Sequence, residues 1–410
     1  MTSETAQAQI SLLRHRQFAF YWLTRVLSTT GYQIMQVSIQ WEIYQLTGSA
    51  VHLGMIGLVM FLPVITGTFI IGHVADHYDR RVVVGICQLT KAIGAILLIV
   101  ASYAGFLSVP LIYVVVLIIS TSRAFESPAL NTIPASIMPP EILSRAIAAG
   151  ASAYQMAQIG GPALGGFLLA AGTNLTYWAC LTMFLVAGIC ISMVQLQRPV
   201  RAKKAVTLES VFAGYHYIRS RPIVFGAILL DLVAAVLGGV TALLPIFARD
   251  ILDAGPEALG LLRSSPAAGA LLMSFYLSNI QIDKGAGKTL IASVVIYGLA
   301  TAVFGFSTVL WVSMLALAVS GAADSVSFVL RQSLVQTRTP NDMLGRVTAV
   351  NATFTGTTTS IGQFQSGIMA ALIGAGPAAI IGGLGAASAA LLWIKLFPDV
   401  WRVKSIVPEN

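Results

Sequence analysis

The stretch PPEILSRA, Pro139 to Ala146, recurs later in the chain as PNDMLGRV, Pro340 to Val347, so that Arg145 corresponds to Arg346. Each copy is a short polar segment between two long apolar runs. A second match, HLG at 52–54 with ALG at 258–260, lies at nearly the same offset. Repetition at so long an offset indicates a duplicated structural unit rather than a small repeat.

The longest polar interruption of the chain separates the two copies. Its basic residues are Arg198, Arg201, Lys203, Lys204, Arg219 and Arg221. We therefore predict an N-terminal six-helix bundle over 1–196, a cytoplasmic linker over 197–221 and a C-terminal six-helix bundle over 222–410.

Composition places the protein in a membrane. Of 410 residues, 56% are hydrophobic and 10% are charged, whereas an ordinary soluble domain has roughly 25% charged residues. Apolar runs long enough to cross the hydrocarbon core recur along the chain. The sequence predicts an all-α membrane protein with twelve transmembrane helices. The expected spans lie near 17–46, 51–74, 82–104, 109–133, 144–169, 175–196, 222–247, 256–281, 287–305, 309–335, 344–370 and 376–396.

The basic residues predict the orientation. Most of the 24 Lys and Arg fall in loops on one side of the predicted membrane, and only Arg249 and Arg263 lie near the other side. By the positive-inside rule, both termini are expected to be cytoplasmic. The first apolar run is too long for a signal-peptide core, so we expect it to be retained. The net charge of +8 then faces the lipid bilayer, and no nucleic-acid partner is expected.

The segment GAGKT at 285–289 has the ending of a phosphate-binding loop. A true phosphate loop needs an earlier glycine and a preceding strand, and Ile282 stands where that glycine would be. The duplication instead pairs this segment with GHVADHYDRR at 72–81, between two spans. No nucleotide and no other cofactor is expected.

The segment GHVADHYDRR resembles a signature of the major facilitator superfamily. The matching residues are Gly72, Asp76, Arg80 and Arg81, whereas His77 and Asp79 depart from the pattern. The resemblance implies that Asp76 caps a helix start in the other half and that Arg80 joins a charge cluster closing a cytoplasmic gate. A carboxylate at a helix N-terminus is favourable in itself, and a solvated loop that sets topology is the alternative. LTGSAVHLG, FESPA and GGPALGGFL look most like the branch holding the enterobactin exporter and macrolide efflux proteins.

A glycine-rich segment, IGGPALGGFL, lies in the predicted fifth span. It resembles the antiporter motif of the superfamily's exporters through Gly161, Pro162, Gly165 and Gly166, although Ala157 replaces an upstream glycine. The resemblance implies tight packing against the second half and favours exchange. Small residues also serve generic helix packing, which is the alternative.

Four ionisable residues fall inside predicted spans at positions that correspond between the halves: Arg25 with Asp231, and Arg123 with Asp324. Each costs roughly 2.5 to 3.5 kcal/mol at a helix centre, so we expect them to face one another or water around one cavity. On this interpretation Asp231 and Asp324 carry protons, and the two arginines balance them and hold an anionic substrate. Static ion pairing is the open alternative.

Other polar residues fall at helical spacing in the predicted spans. The first span carries Arg25, Thr29, Tyr32, Gln36 and Gln40, and the eleventh carries Asn351, Thr355, Thr358 and Gln365. Such stripes either line a cavity or bind a neighbouring helix. Glu126 lies one turn from Arg123 and is expected to neutralise it. Lys91 stands where relatives of this branch often carry Arg, and Tyr32 stands where they carry its acidic partner.

The sequence favours a proton-coupled exporter of a small amphiphilic molecule, such as a drug or siderophore, in the bacterial cytoplasmic (inner) membrane. Facilitated uptake or ion transport on the same fold is the alternative. A metal site is not expected because His and Cys do not cluster within the spans. An enzyme is not expected because the nucleophile motifs of membrane enzymes are absent from the sequence. We expect the protein to act as a monomer.

Overall fold

The computed structural model describes residues 12–196, 208–279 and 285–405. Over these residues the chain is helical and forms no strand. Its twelve helices of 16 or more residues are α1 (Arg16–Thr47), α2 (Ala50–His77), α3 (Arg80–Tyr103), α4 (Val109–Thr132), α5 (Pro140–Ala171), α6 (Thr173–Ser192), α7 (Pro222–Leu237), α8 (Pro256–Asn279), α9 (Ala286–Phe306), α10 (Leu310–Arg338), α11 (Asn341–Ile373) and α12 (Ala375–Leu396). A shorter helix, Leu208–Ser220, precedes α7, and 197–207 of the predicted linker lie outside the described residues.

Nine segments of the described chain are long and apolar enough to cross a membrane. Helices α1, α5 and α11 do not belong to this set although they are among the longest helices. For α1 and α11, the polar stripes explain why these helices are less apolar, because polar side chains lower mean hydropathy where a helix faces the protein interior. That these three helices also span the membrane stays a prediction.

Helix contacts define the packing within each half. In the first half, α1 packs against α5 and α6, while α3 packs against α4 and α6. In the second half, α9 packs against α10 and α12, and α7 packs against α11 and α12. The halves meet mainly through two helix pairs, α2 with α11 and α5 with α8. The assignment of domain boundaries to 1–196 and 222–410 stays a prediction.

Helix α7 ends earlier than the predicted span. It stops at Leu237 and continues as a 3-10 turn, Val240–Leu243, and a π turn, Phe247–Ile251. Two glycines, Gly238 and Gly239, separate the helix from these turns. A Cβ at Gly238 would lie 2.4 Å from the Tyr297 ring of α9, so close packing against α9 requires glycine at the break.

The GAGKT segment begins α9. The amides of Gly285 and Gly287 donate to the carbonyls of Lys404 and Val403, at 2.6 and 3.1 Å. These amides are therefore occupied by the C-terminal segment of the chain and not arranged to cradle a phosphate.

Candidate functional site

A buried polar network lies inside the first half, between α1, α3 and α4. Lys91 Nζ lies 2.8 Å from Glu126 Oε2 and donates to Ser28 Oγ at 2.6 Å. Gln88 Nε2 donates to Glu126 Oε1 at 2.6 Å, and the Ser28 hydroxyl donates to the same oxygen. The Lys91 and Glu126 side chains are both 0% exposed. Both carboxylate oxygens have donors, as a buried charge requires.

Arg123 lies at the edge of this network and is less buried. Its Nη1 is 3.7 Å from Glu126 Oε2, and its side chain is 20% exposed. Its guanidinium lies 5.0 Å from the centroid of the Tyr32 ring and 5.6 Å from that of Tyr154. Glu126 therefore balances Lys91 first, and the aromatic faces of two tyrosines supply the remaining stabilisation of Arg123.

Arg25 shares one of these aromatic rings. Its guanidinium lies 5.6 Å from the Tyr154 centroid, and Nη1 donates to Asn131 Oδ1 at 3.0 Å and to the Tyr21 hydroxyl at 3.3 Å. The structure thus brings Arg25 and Arg123 together on Tyr154. In the described residues, Arg25 forms no ion pair.

The two predicted carboxylates lie in the second half, around a cavity of about 280 Å³. The cavity is lined by residues of α7 to α11, among them Asp231, Tyr297, Asp324, Arg331, Thr355 and Gln363. Arg25 and Arg123 are not among its lining residues. In this structure the four predicted charges therefore do not surround one cavity.

Asp231 has a partner that sequence reasoning did not assign. Arg331 of α10 forms an ion pair with it, and the two side chains are 2% and 14% exposed for Arg331 and Asp231 respectively. Arg331 lies two helical turns after Asp324, on the same face of α10. That spacing is the signal from which the second-half cation could have been found.

Asp324 has an exposed side chain on the cavity wall. Among the described residues it forms neither a hydrogen bond nor an ion pair. The neighbouring Tyr297 donates its hydroxyl to the Gly238 carbonyl at 2.9 Å, at the break that follows α7. Asp324 is thus a free carboxylate beside an irregular stretch of backbone.

The remaining stripe residues divide between the cavity and the packed interior. Thr355 lines the cavity, and its hydroxyl donates to the Asn351 carbonyl at 3.0 Å. Asn351 is buried and donates to Gln332 at 3.4 Å. Gln36 is 1% exposed, and neither its amide nitrogen nor its amide oxygen has a hydrogen-bond partner.

The segment that resembles the superfamily signature contains a helix cap. Asp79 accepts a hydrogen bond from the Arg81 amide at 2.9 Å at the start of α3. The Arg81 side chain also hydrogen bonds to this carboxylate and holds the pKa of Asp79 below its ordinary value. Arg81 further donates to the Val194 carbonyl at 3.0 Å, and Arg80 donates to Ser136 at 3.4 Å. The surroundings of Gly72 and the side chain of Asp76 lie outside the described part of the structure.

The glycines of α5 lie at two helix contacts. A Cβ at Gly161 would lie 2.7 Å from Gln33, and one at Gly165 would lie 3.0 Å from Ile34, both on α1. A Cβ at Gly166 would lie 2.6 Å from the Pro256 carbonyl at the start of α8.

Pro162 takes part in the same contact with the second half. A Cβ at Gly260 would lie 2.4 Å from the Pro162 carbonyl. The glycines of α5 and α8 thus allow the two halves to approach backbone to backbone.

The contact between halves is completed by side chains near the end of the molecule where α1 leads into α2, the α1–α2 end. Tyr44 of α1 hydrogen bonds to Asp250, and Arg263 of α8 donates to Gln40 of α1. Ser264 donates to the Ile159 carbonyl of α5 at 2.6 Å. Sequence reasoning placed Arg263 near the outer side of the predicted membrane and missed its contact with the first half. Among the described residues, no group of His, Cys, Asp and Glu has the arrangement of a metal site.

The comparisons with known proteins cover the whole of this architecture. A model of a family described as transmembrane secretion effector matches residues 7–408. The chain belongs to this family of the major facilitator superfamily. The enterobactin exporter of Citrobacter koseri is 25% identical over an alignment of 415 positions that covers 100% of this chain and 98% of that exporter. The enterobactin exporter of Salmonella choleraesuis is 24% identical over an alignment of 417 positions that covers 100% of this chain and 99% of that exporter.

Solved transporters share the fold of this family member. The nucleoside transporter NupG matches with a TM-score of 0.73 at 15% identity, over 93% of this chain and 100% of that chain. A bacterial homologue of the iron transporter ferroportin, in an inward-facing state, matches with a TM-score of 0.71 at 17% identity, over 96% of this chain and 100% of that chain. The predicted all-α major facilitator fold is confirmed.

Family membership settles the broad class of activity. The protein is a secondary transporter of the bacterial inner membrane, with several membrane passes, and not an enzyme.

Proposed function

We propose that this transporter is a proton-coupled exporter of a small amphiphilic molecule such as a drug or a siderophore, working by alternating access. The observation that carries the proposal is Asp324, a carboxylate without a partner among the described residues, on the wall of a cavity in a membrane-spanning bundle. A carboxylate in such a place is costly when it is ionised and unpaired, and protonation removes the cost. Asp324 is thus a residue whose proton can be exchanged as its surroundings change.

The surroundings of the two carboxylates support a division of roles between them. Asp231 has Arg331 as a counter-ion, so we assign it to the support of the cavity wall. Asp324 has no such cation among the described residues, so it carries the proton. The break after α7 supports this assignment, because irregular backbone within a membrane bundle is tolerated where it lines a cavity.

Export rather than uptake is supported by the named relatives and by α5. Two full-length relatives are enterobactin exporters, which makes a siderophore-like molecule the first cargo to test. Gly161, Pro162, Gly165 and Gly166 carry the exporter-type motif, and their contacts with α1 and α8 are close.

We assign the cytoplasmic gate to the signature segment after α2, with Gly72, Asp76, Arg80 and Arg81 acting there. The protein acts as a monomer with both termini in the cytoplasm. On this orientation, the contacts at the α1–α2 end close the molecule on the external side.

The experiment is proton movement in proteoliposomes with a pH-sensitive dye inside and an imposed pH gradient. Labelled enterobactin and a panel of amphiphilic antibiotics are added in turn. For the wild type, at least one compound should dissipate the gradient. Asp324→Asn should reduce that proton flux at least tenfold while labelled compound still exchanges down its own gradient. The matched control is Asp399→Asn, because Asp399 is exposed in the C-terminal segment.

Two outcomes would contradict the proposal. If Asp324→Asn moves protons as fast as the wild type does, Asp324 is not the carrier. If labelled compound crosses without proton movement in every variant, the protein is a facilitator and the carboxylate is structural.

A further inference from the structure

We propose that Arg123 of the first half and Arg263 of the second half form a binding site, beside Tyr32, for the negative group of an aromatic organic anion. This inference rests on the proposed transport function and names the chemical class of its cargo. Its test is a binding measurement without a gradient, so its outcome is separate from that of proton coupling.

The two arginines lie along one face of α1. Arg123 is 5.0 Å from the Tyr32 ring centroid, and Arg263 donates to Gln40, two turns or about 12 Å further along the helix. The site therefore brings together a cation from each half and an aromatic ring.

The charge balance favours an anion. Glu126 is held at 2.8 Å by Lys91 and lies 3.7 Å from Arg123, so one carboxylate serves two cations. Among the residues that the structure describes, Arg25 and Arg263 form no ion pair. Along this face of α1, Arg123 and Arg263 therefore outnumber the one nearby carboxylate, Glu126, and an uncompensated charge within a membrane is unfavourable. An anionic cargo supplies the missing compensation.

Gln36 provides an independent sign of a ligand. Its side chain is 1% exposed, and both polar atoms of its amide are without a partner. It lies between Tyr32 and Gln40 at helical spacing, on the face of α1 that the two arginines contact. Buried amides without partners are rare and unfavourable. A ligand between the arginines can accept a hydrogen bond from the Gln36 amide nitrogen and donate one to the Gln36 amide oxygen.

The recognition chemistry favours a planar aromatic anion. A guanidinium presents a planar set of donors that matches a carboxylate, and it also stacks on aromatic faces. Tyr32 and Tyr154 already hold Arg123 at ring-stacking distances of 5.0 and 5.6 Å. A cargo with its own aromatic ring can stack on the same surfaces, whereas a cationic cargo meets only repulsion.

The test measures binding to purified protein in lipid nanodiscs by fluorescence anisotropy. The probes are fluorescein, an aromatic anion, and rhodamine 123, a methyl ester without a carboxylate that is a cation on the same ring system. The wild type should bind fluorescein at least tenfold more tightly than rhodamine 123. Arg263→Gln should weaken fluorescein binding at least tenfold and remove the preference, and Arg263→Lys should restore part of it. Arg249→Gln is the matched control, because Arg249 lies at the same end of the second half with a side chain 46% exposed.

Thermal melting of each variant separates loss of binding from loss of folding, and Arg123→Gln is the second variant if Arg263→Gln does not fold. The proposal is overturned if wild type does not prefer fluorescein. It is also overturned if a folded Arg263→Gln or Arg123→Gln protein binds fluorescein as the wild type does. A result in which anion binding depends on Arg263 but Asp324→Asn still couples to protons retains this site and rejects the proposed carrier.

Discussion

The two halves hold their membrane charges in opposite ways. In the first half, Lys91 and Glu126 form a fully buried pair, Ser28 hydrogen bonds to both, and Gln88 donates to Glu126. In the second half, Asp231 and Arg331 pair at the edge of a cavity, and Asp324 faces that cavity. The contrast teaches that a satisfied buried network acts as a fixed support, while a carboxylate left without a partner can change its protonation during a cycle.

The largest expected effect comes from breaking the buried network. Lys91→Met removes the nearer and fully buried cation of Glu126 and leaves only Arg123, at 3.7 Å, and removing one partner of a buried pair costs about 3–5 kcal/mol. We expect a loss of that size in the free energy of unfolding, measured by detergent titration in mixed micelles. The double variant Lys91→Met/Glu126→Leu should recover most of the loss, because the remaining charge, Arg123, has a side chain that is 20% exposed and contacts two tyrosine rings. Equal losses in the single and double variants would show that packing, and not charge, dominates at this site.

A smaller loss of stability is expected when the cation of the ion pair in the second half is removed. Arg331→Met leaves Asp231 alone, but the Asp231 side chain is 14% exposed on the cavity, so water or a proton can reach it. We expect a loss of about 1–3 kcal/mol, the usual cost of an unsatisfied polar group, measured in the same titration. A loss as large as that of Lys91→Met would contradict this difference, because a pair beside a cavity would then cost as much to break as a fully buried pair. Asp231→Asn/Arg331→Met is the matched control without charge.

Sequence reasoning reached the fold because its signals are long. Apolar runs, a basic linker and the repeat around Arg145 and Arg346 each extend over many residues, so that small errors at helix ends do not alter the architecture. Helices α1 and α11 were recognisable from their length and polar stripes although their mean hydropathy is low. The break after Leu237 was missed, because two glycines in an apolar run are equally compatible with a continuous helix.

The candidate site was less predictable because pairing depends on contacts between helices. The duplication aligned Arg25 with Asp231 and Arg123 with Asp324, which suggested that opposite charges meet across the halves. The structure pairs Asp231 with Arg331 within one half. Likewise, the nearest cation to Glu126 in sequence is Arg123, but Lys91 of α3 is closer in space. Spacing along one helix does not reveal which neighbouring helix supplies a counter-ion.

The smallest expected effect concerns Asp79, a charged residue outside the membrane-spanning helices. It extends the comparison of the two halves to a charge that water can reach. Asp79 caps α3 through the Arg81 amide, and the hydrogen bond from the Arg81 side chain lowers its pKa. Because the folded-state pKa is the lower one, the charged cap stabilises fully above the ordinary Asp value, near 3.9, and its contribution is lost as pH falls through the folded-state pKa. Asp79→Ala should cost about 1 kcal/mol, as N-cap removal usually does.

Measurement of Asp79→Ala and Asp79→Asn across pH 3 to 7 separates the cap from the charge. Asn keeps a side-chain acceptor for the Arg81 amide but has no proton to lose, so it should remove the pH dependence and retain most of the stability. If wild type and Asp79→Asn share the same dependence on pH, other carboxylates produce it.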